Sequence, residues 1–78
     1  MRTNNLEVIK AFRQGKEATS HNGNLISTGA ILINYSTPIA KHSDNGIILN
    51  STKYSRTTST IQSKVRQYCN VIEEVEVV

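Results

Sequence analysis

The apolar residues of this chain change period at Gly15, and that change sets its fold class. Ahead of it, Leu6, Ile9 and Phe12 recur at helical spacing, and Asn4 stands three residues before Glu7 in the manner of a capping box. A helix is therefore predicted over 5–14, with Glu7, Lys10, Arg13 and Gln14 on its wet side. Beyond Gly15 the pieces are short and cut by turn residues. "KEATS" and "LIST" flank an Asn22-Gly23 pair that favours a type I′ turn, so strands are expected at about 17–20 and 25–28.

"AILINYS" is the most strand-like run, expected over 30–36 as a central strand, with Ile31, Ile33 and Tyr35 on one face and Leu32 and Asn34 on the other. Pro38 cannot donate to a ladder, so the next strand, about 38–41, should be an edge, begin near the proline, or place it at a bulge. "HSDNG" turns the chain into a strand at 47–50. A second helix is predicted over 60–72, because Ser59 precedes Gln62 by three and Ile61, Val65, Tyr68 and Ile72 form one stripe, with Cys69 beside it. "EEVEVV", 73–78, reads as a tail with some strand character.

The expectation is an α+β domain over 1–78: an N-terminal helix, a three- to four-stranded antiparallel sheet and a C-terminal helix, with both helices on one sheet face. The other face is left for docking or for self-association. A chain of 78 residues buries only about 60 to 65% of its unfolded surface, and this one is 37% apolar and 5% aromatic. A homodimer or a stabilising partner is therefore an open alternative.

The same residues argue against catalysis. His21 and His42 fall in predicted polar turns, and Cys69 lies on the apolar side of the second helix as a small buried hydrophobe. Together with Asp44 they have no recurrent metal-ligand spacing, and the glycines at 15, 23, 29 and 46 form no phosphate loop. No catalytic residue, metal or cofactor is expected. The single cysteine makes no internal disulfide and suits a reducing compartment, and no apolar run nears the roughly 18 residues that cross a membrane. A cytoplasmic location is the expectation.

Charge is more informative. The net charge is +3, but Glu73, Glu74 and Glu76 hold half of the six acids, so the rest of the chain carries nine bases against three acids. Such a body attracts polyanions or an acidic protein face, and it also serves simply as a solvated surface. Two bases, one ring and five hydroxyls fall within "KYSRTTST", 53–60, just ahead of the second helix. A helix N-terminus exposes unpaired N–H groups, so Lys53, Tyr54, Arg56, Thr57 and Thr58 make an anion-friendly corner, joined by Lys64 and Arg66 on the helix. The plainer reading gives Ser59 or Thr58 the capping role, packs Tyr54 in the core and leaves the bases to solvent.

"NLEVIKAF", "LINYSTPIA" and "IILNSTKYSRTTSTIQSKVRQ" resemble, in order and spacing, a family of short proteins encoded by phages and prophages of low-GC bacteria and by gut phages. The resemblance runs from Asn5 to about Tyr68 and assigns no functional residue. It implies a setting in the host cytoplasm, in which small proteins without catalytic signatures work by stoichiometric binding, as anti-CRISPR proteins do. Two functions follow as expectations: inhibition of a host defence protein or nucleoprotein, or sequence-tolerant binding of nucleic acid at the basic helix entrance.

Overall fold

The computed structural model describes residues 2–76 of the chain. It is an α+β fold in which the strands follow in sequence order across one mixed sheet: β1 (Arg2–Thr3), β2 (Glu17–Ser20), β3 (Leu25–Thr28), β4 (Ile31–Asn34), β5 (Thr37–Ser43), β6 (Gly46–Asn50) and β7 (Val71–Val75). Helix α1 (Asn5–Arg13) joins β1 to β2, and helix α2 (Arg56–Tyr68) joins β6 to β7. β2 to β6 form an antiparallel meander, whereas β1 pairs parallel to β2 and β7 parallel to β6.

The expected antiparallel sheet of three or four strands is thus too small. Six strands have four residues or more, the two-residue β1 adds to one edge, and both outermost pairings are parallel. Each helix is the crossover of a parallel βαβ unit. The two units move across the sheet in the same direction between strands of the same polarity, so the right-handed crossover rule puts both helices on one face. The shared core agrees: Val8, Ile9 and Phe12 of α1 and Ile61 and Val65 of α2 pack with Leu25, Leu32, Ala40 and Leu49 of the sheet.

Asn4 caps α1 as expected, its Oδ1 accepting the backbone N–H of Glu7 at 2.8 Å. Ile9 and Phe12 of the expected stripe are buried, Val8 joins them, and Leu6 is only half-buried. The Asn22-Gly23 pair does not make a type I′ turn. The Gly23 N–H closes onto the Ser20 carbonyl at 2.9 Å, and only Gly23 has positive φ, so the connection is a loop of four residues, 21–24. The strand expected over 30–36 ends at Asn34, because Tyr35 and Ser36 form a tight two-residue turn.

β5 begins near Pro38 and bulges just after it, satisfying two of the three conditions that the proline imposes. Ile33 pairs with Pro38 and Leu32 with Ala40, which leaves Ile39 as the extra residue, and both Ile39 and Ala40 point into the core. His42 is a strand residue, not a turn residue. Its ring is half-buried at 4.6 Å from that of Phe12, and Nε2–H donates to the Phe12 carbonyl.

Helix α2 ends at Tyr68, four residues short of the expected limit, so Ile72 leaves the helical stripe and joins β7, 46% exposed. The strand character expected in the tail 73–78 is realised in β7, which pairs with β6 and also takes Val71 and Ile72 from the expected helix; Val77 and Val78 of that tail, and Met1, lie outside the described residues. Gly46 permits this return. A Cβ there would lie 2.6 Å from Ile72 Cγ2 and 2.9 Å from the Asn70 carbonyl oxygen, so only glycine leaves room for the chain to come back.

Candidate binding surfaces

The strand directions collect several features at one end of the sheet. The loop 21–24, the turn at Tyr35 and Ser36, the segment 51–55 and the N-termini of both helices all lie there. "KYSRTTST" is part of this end, but its parts differ from the expected roles.

Ser55 caps α2, not Ser59. Its Oγ accepts the Thr58 N–H at 3.2 Å, so the helix begins at Arg56, four residues before the expected start. Gln62, expected to close the capping box, is buried and donates through Nε2 to the carbonyls of Asn50 at 2.6 Å and Thr52 at 2.9 Å. It holds the segment between β6 and α2 against the helix.

Thr58 is withdrawn from any ligand. It is buried, and its hydroxyl donates to Asn34 Oδ1 at 2.8 Å. Tyr54 is 48% exposed, and its hydroxyl accepts from Asn50 Nδ2 at 2.9 Å; the same Nδ2 donates to the Pro38 carbonyl. Lys53, Arg56 and Thr57 are exposed beside it, in the loop and first turn.

Lys64 and Arg66 do not join that corner as one surface. Two residues apart on a helix, they project about 200° apart around its axis. Arg66 reaches across to β7, donating from Nε at 3.1 Å and Nη2 at 2.8 Å to Glu74 Oε1. The hydrogen bond from Arg66 holds the Glu74 carboxyl below the usual carboxylate range, and the same contact raises Arg66 further. Lys64 is half-buried on the opposite flank. The structure therefore brings together Lys53, Tyr54, Arg56 and Thr57, and separates Thr58, Lys64 and Arg66 from them.

Cys69 is buried, and burial pushes its thiol up, with the Arg13 charge acting the other way. A thiol kept protonated is a poor nucleophile. Among the described residues no three His, Cys, Asp or Glu side chains group to hold a metal, and no helix is long and apolar enough to cross a membrane.

The second surface is the sheet face away from the helices. Cross-strand pairing puts Thr19, Ile26, Ile33 and Pro38 in one row and Ile31, Lys41, Ile48 and Glu73 in another. These rows alternate with the buried Leu25, Leu32 and Leu49, so they face outward. The face is apolar at its centre, with Ile26 36% exposed, and carries Lys41 and Glu73 toward the β7 side and Glu17 on the β2 side.

A groove of about 630 Å³ opens at the end of this face, lined by Gly23, Asn24, Ile26, Ile33, Tyr35 and Ser36. Its rim is made by an unusual turn. Tyr35 and Ser36 have φ of 50° and 67°, the backbone of a type I′ turn, which Asn-Gly adopts readily and which costs an ordinary L-residue about 1 kcal/mol. Tyr35 is 56% exposed, and its hydroxyl accepts from Asn24 Nδ2 at 3.2 Å. Sequence reasoning missed this site. Its only trace is that Tyr-Ser sits between two apolar runs without the Asn-Gly or other glycine pair that a two-residue turn favours.

No curated protein and no solved structure matches the chain. A family model does match, over residues 3–73, which takes in both helices and the sheet up to the middle of β7. The chain belongs to that family, DUF8033, a family of unknown function.

Proposed function

We propose that the protein acts by stoichiometric binding, inhibiting a host defence protein or nucleoprotein in the manner of anti-CRISPR proteins, in the cytoplasm of a host cell. The observation that carries this reading is the uncovered sheet face. Ile26, Ile31, Ile33, Pro38 and Ile48 lie together on a surface that neither helix covers, in a chain with few apolar residues to spare. An apolar centre with charged margins is the composition of a protein-binding patch. The phage and prophage setting of the sequences it resembles supplies the host. A homodimer through the same face would compete with such a partner.

Affinity capture from host cells tests the reading. The expected result is one defence protein held at near one-to-one ratio through a wash in high salt, and lost when Ile33→Asp charges the face. Capture of no protein under any salt condition, or equal capture by the variant, overturns it.

A second reading, sequence-tolerant binding of nucleic acid, is favoured by Lys53, Tyr54, Arg56 and Thr57 lying exposed where both helix N-termini emerge. It requires affinity for DNA or RNA that falls steeply with salt and weakens for all sequences in Lys53→Ala with Arg56→Ala. Three other cations weigh against a continuous phosphate track. Arg66 is tied to Glu74, Arg13 donates to the Tyr68 carbonyl at 3.4 Å, and Lys10 stands 4.0 Å from Glu7.

A further inference from the structure

We infer that the open sheet face also takes a second copy of this chain, in a two-fold dimer whose axis runs along the strands between β3 and β4. This goes beyond the host contact proposed above, and the two uses of the face exclude each other.

The outward residues are self-complementary about that line. One row reads Thr19, Ile26, Ile33 and Pro38 from β2 to β5, and the other reads Glu17, Thr28, Ile31, Lys41, Ile48 and Glu73 from β2 to β7. Thr28 Oγ1 accepts the Ile31 N–H at 3.2 Å, which aligns β3 with β4 in the second row. A half-turn about an axis parallel to the strands lays each row on itself, exchanging β3 with β4 and β2 with β5. Ile26 then meets Ile33 of the second copy, Thr28 meets Ile31, Thr19 meets Pro38 and Glu17 meets Lys41, each contact made twice.

Charge fixes the axis. Among the described side chains the two rows hold three charged groups, Glu17, Lys41 and Glu73. An axis between β4 and β5 sets Glu17 against Glu73 of the second copy, and an axis on β5 sets Lys41 against itself. An axis on β4 puts Glu17 over Ile48, and one on β6 pairs Lys41 with Glu73 but leaves Ile26 and Ile33 bare. Turned across the strands, the axis lays one row on the other and puts Lys41 over Pro38. Of these, only the line between β3 and β4 covers the apolar centre and gives both Glu17 and Lys41 an opposite charge. Facing sheets pack at about 30°, which moves a residue one and a half strand spacings from the axis by about 4 Å, within the span of a lysine side chain.

The same half-turn carries the β4 to β5 turn onto the loop 21–24 of the second copy, so the two grooves meet on the axis. Tyr35, 56% exposed at φ 50°, supplies there a ring that an unstrained Asn-Gly turn would lack. Area sets the strength. Two rows and a turn across four strands cover on the order of 400 Å² a side, about half of what stable interfaces bury. The dimer is therefore weak, with a Kd on the order of 100 μM, and at micromolar concentration the face is free for a tighter partner.

Sedimentation of the purified full chain from about 10 μM to about 1 mM tests this. The mean mass is expected to rise across that range toward twice that of the chain. Glu17→Lys and Lys41→Glu each weaken dimerisation about tenfold at low salt, because either change makes both ion pairs repulsive. Glu17→Lys combined with Lys41→Glu recovers the parent affinity, and so does an equimolar mixture of the two single variants. That recovery separates a lost contact from a lost fold. Glu73→Lys, outside the contact, leaves the Kd within about twofold.

A chain that stays monomeric at about 1 mM, a mixture that dimerises no better than its components, or a dimer weakened by Glu73→Lys and not by Glu17→Lys overturns the inference. These measurements contain no host protein, so they leave the host contact to be decided by affinity capture.

Discussion

Thr58 donates its hydroxyl proton to Asn34 Oδ1 at 2.8 Å inside the protein, fastening the first turn of α2 to the end of β4. Asn34 in turn donates from Nδ2 to the Asn24 carbonyl at 2.9 Å. One buried chain of hydrogen bonds thus links the basic helix entrance to the loop that supports the Tyr35 groove. Breaking it leaves a buried acceptor unpaired, which costs about 1–3 kcal/mol. Thr58→Val is expected to lower the unfolding free energy by that amount in a denaturant titration, with no change in affinity for any anion.

The helix cap gives a cleaner comparison. Ser55→Ala removes the acceptor of the Thr58 N–H and should cost about 1 kcal/mol, whereas Ser59→Ala, one turn inside the helix, should stay within about 0.5 kcal/mol of the parent. Denaturant midpoints of the two variants check this directly. The reverse order would place the cap at Ser59.

That pair also shows how much was legible in the sequence. Thr3, Asn4 and Asn5 all have the chemistry of a cap, but only Asn4 stands three residues before Glu7, so the start of α1 could be read to the residue. Before α2, Ser55, Thr57, Thr58 and Ser59 all have the chemistry of a cap, and local pattern cannot rank them. Contacts distant in sequence decide: Thr58 is drawn to Asn34, and Gln62 to the carbonyls of Asn50 and Thr52. The strand segments of the meander were legible because glycine and proline punctuate them. β1 was not, and of β7 only some strand character in 73–78 was, since parallel pairing at an edge depends on where a helix returns the chain, and two residues such as Arg2–Thr3 leave no period to read. Of the candidate site, the exposure of Lys53, Arg56 and Thr57 could be foreseen, but that of Tyr54, which the plainer reading packs in the core, could not. The divergence of Lys64 and Arg66 follows from their spacing on any helix, whereas the Arg66 to Glu74 pair followed only once β7 was fixed, and the Tyr35 groove had no clear propensity signal.

The strained turn predicts a gain in stability from a loss of side chain. Tyr35→Asn with Ser36→Gly should raise the unfolding free energy by about 1–2 kcal/mol, because φ of 50° and 67° suit Asn-Gly. Thermal and denaturant unfolding check it. A fall in stability would mean that the Tyr35 ring contributes more to folding than its backbone costs.

Acid titration reports on the α2 to β7 contact. The Arg66 hydrogen bond lowers the Glu74 pKa in the folded state, so its contribution is present above the unfolded carboxylate pKa. It is lost as pH falls through the folded value. A carbon-detected NMR titration should find Glu74 ionising below the ordinary glutamate range, and Arg66→Gln should move it upward toward that range. The Glu74 carboxylate is exposed, so global stability should change little.

If the sheet face away from the helices makes the functional contact, a photo-crosslinking amino acid will show it in host cells when placed at Thr19, half-buried in the outward row with Ile26, and separately at Ser63, exposed on the helical side. The Thr19 probe should crosslink one defence protein at a defined mass and the Ser63 probe should not. Crosslinking from Ser63 alone would contradict it.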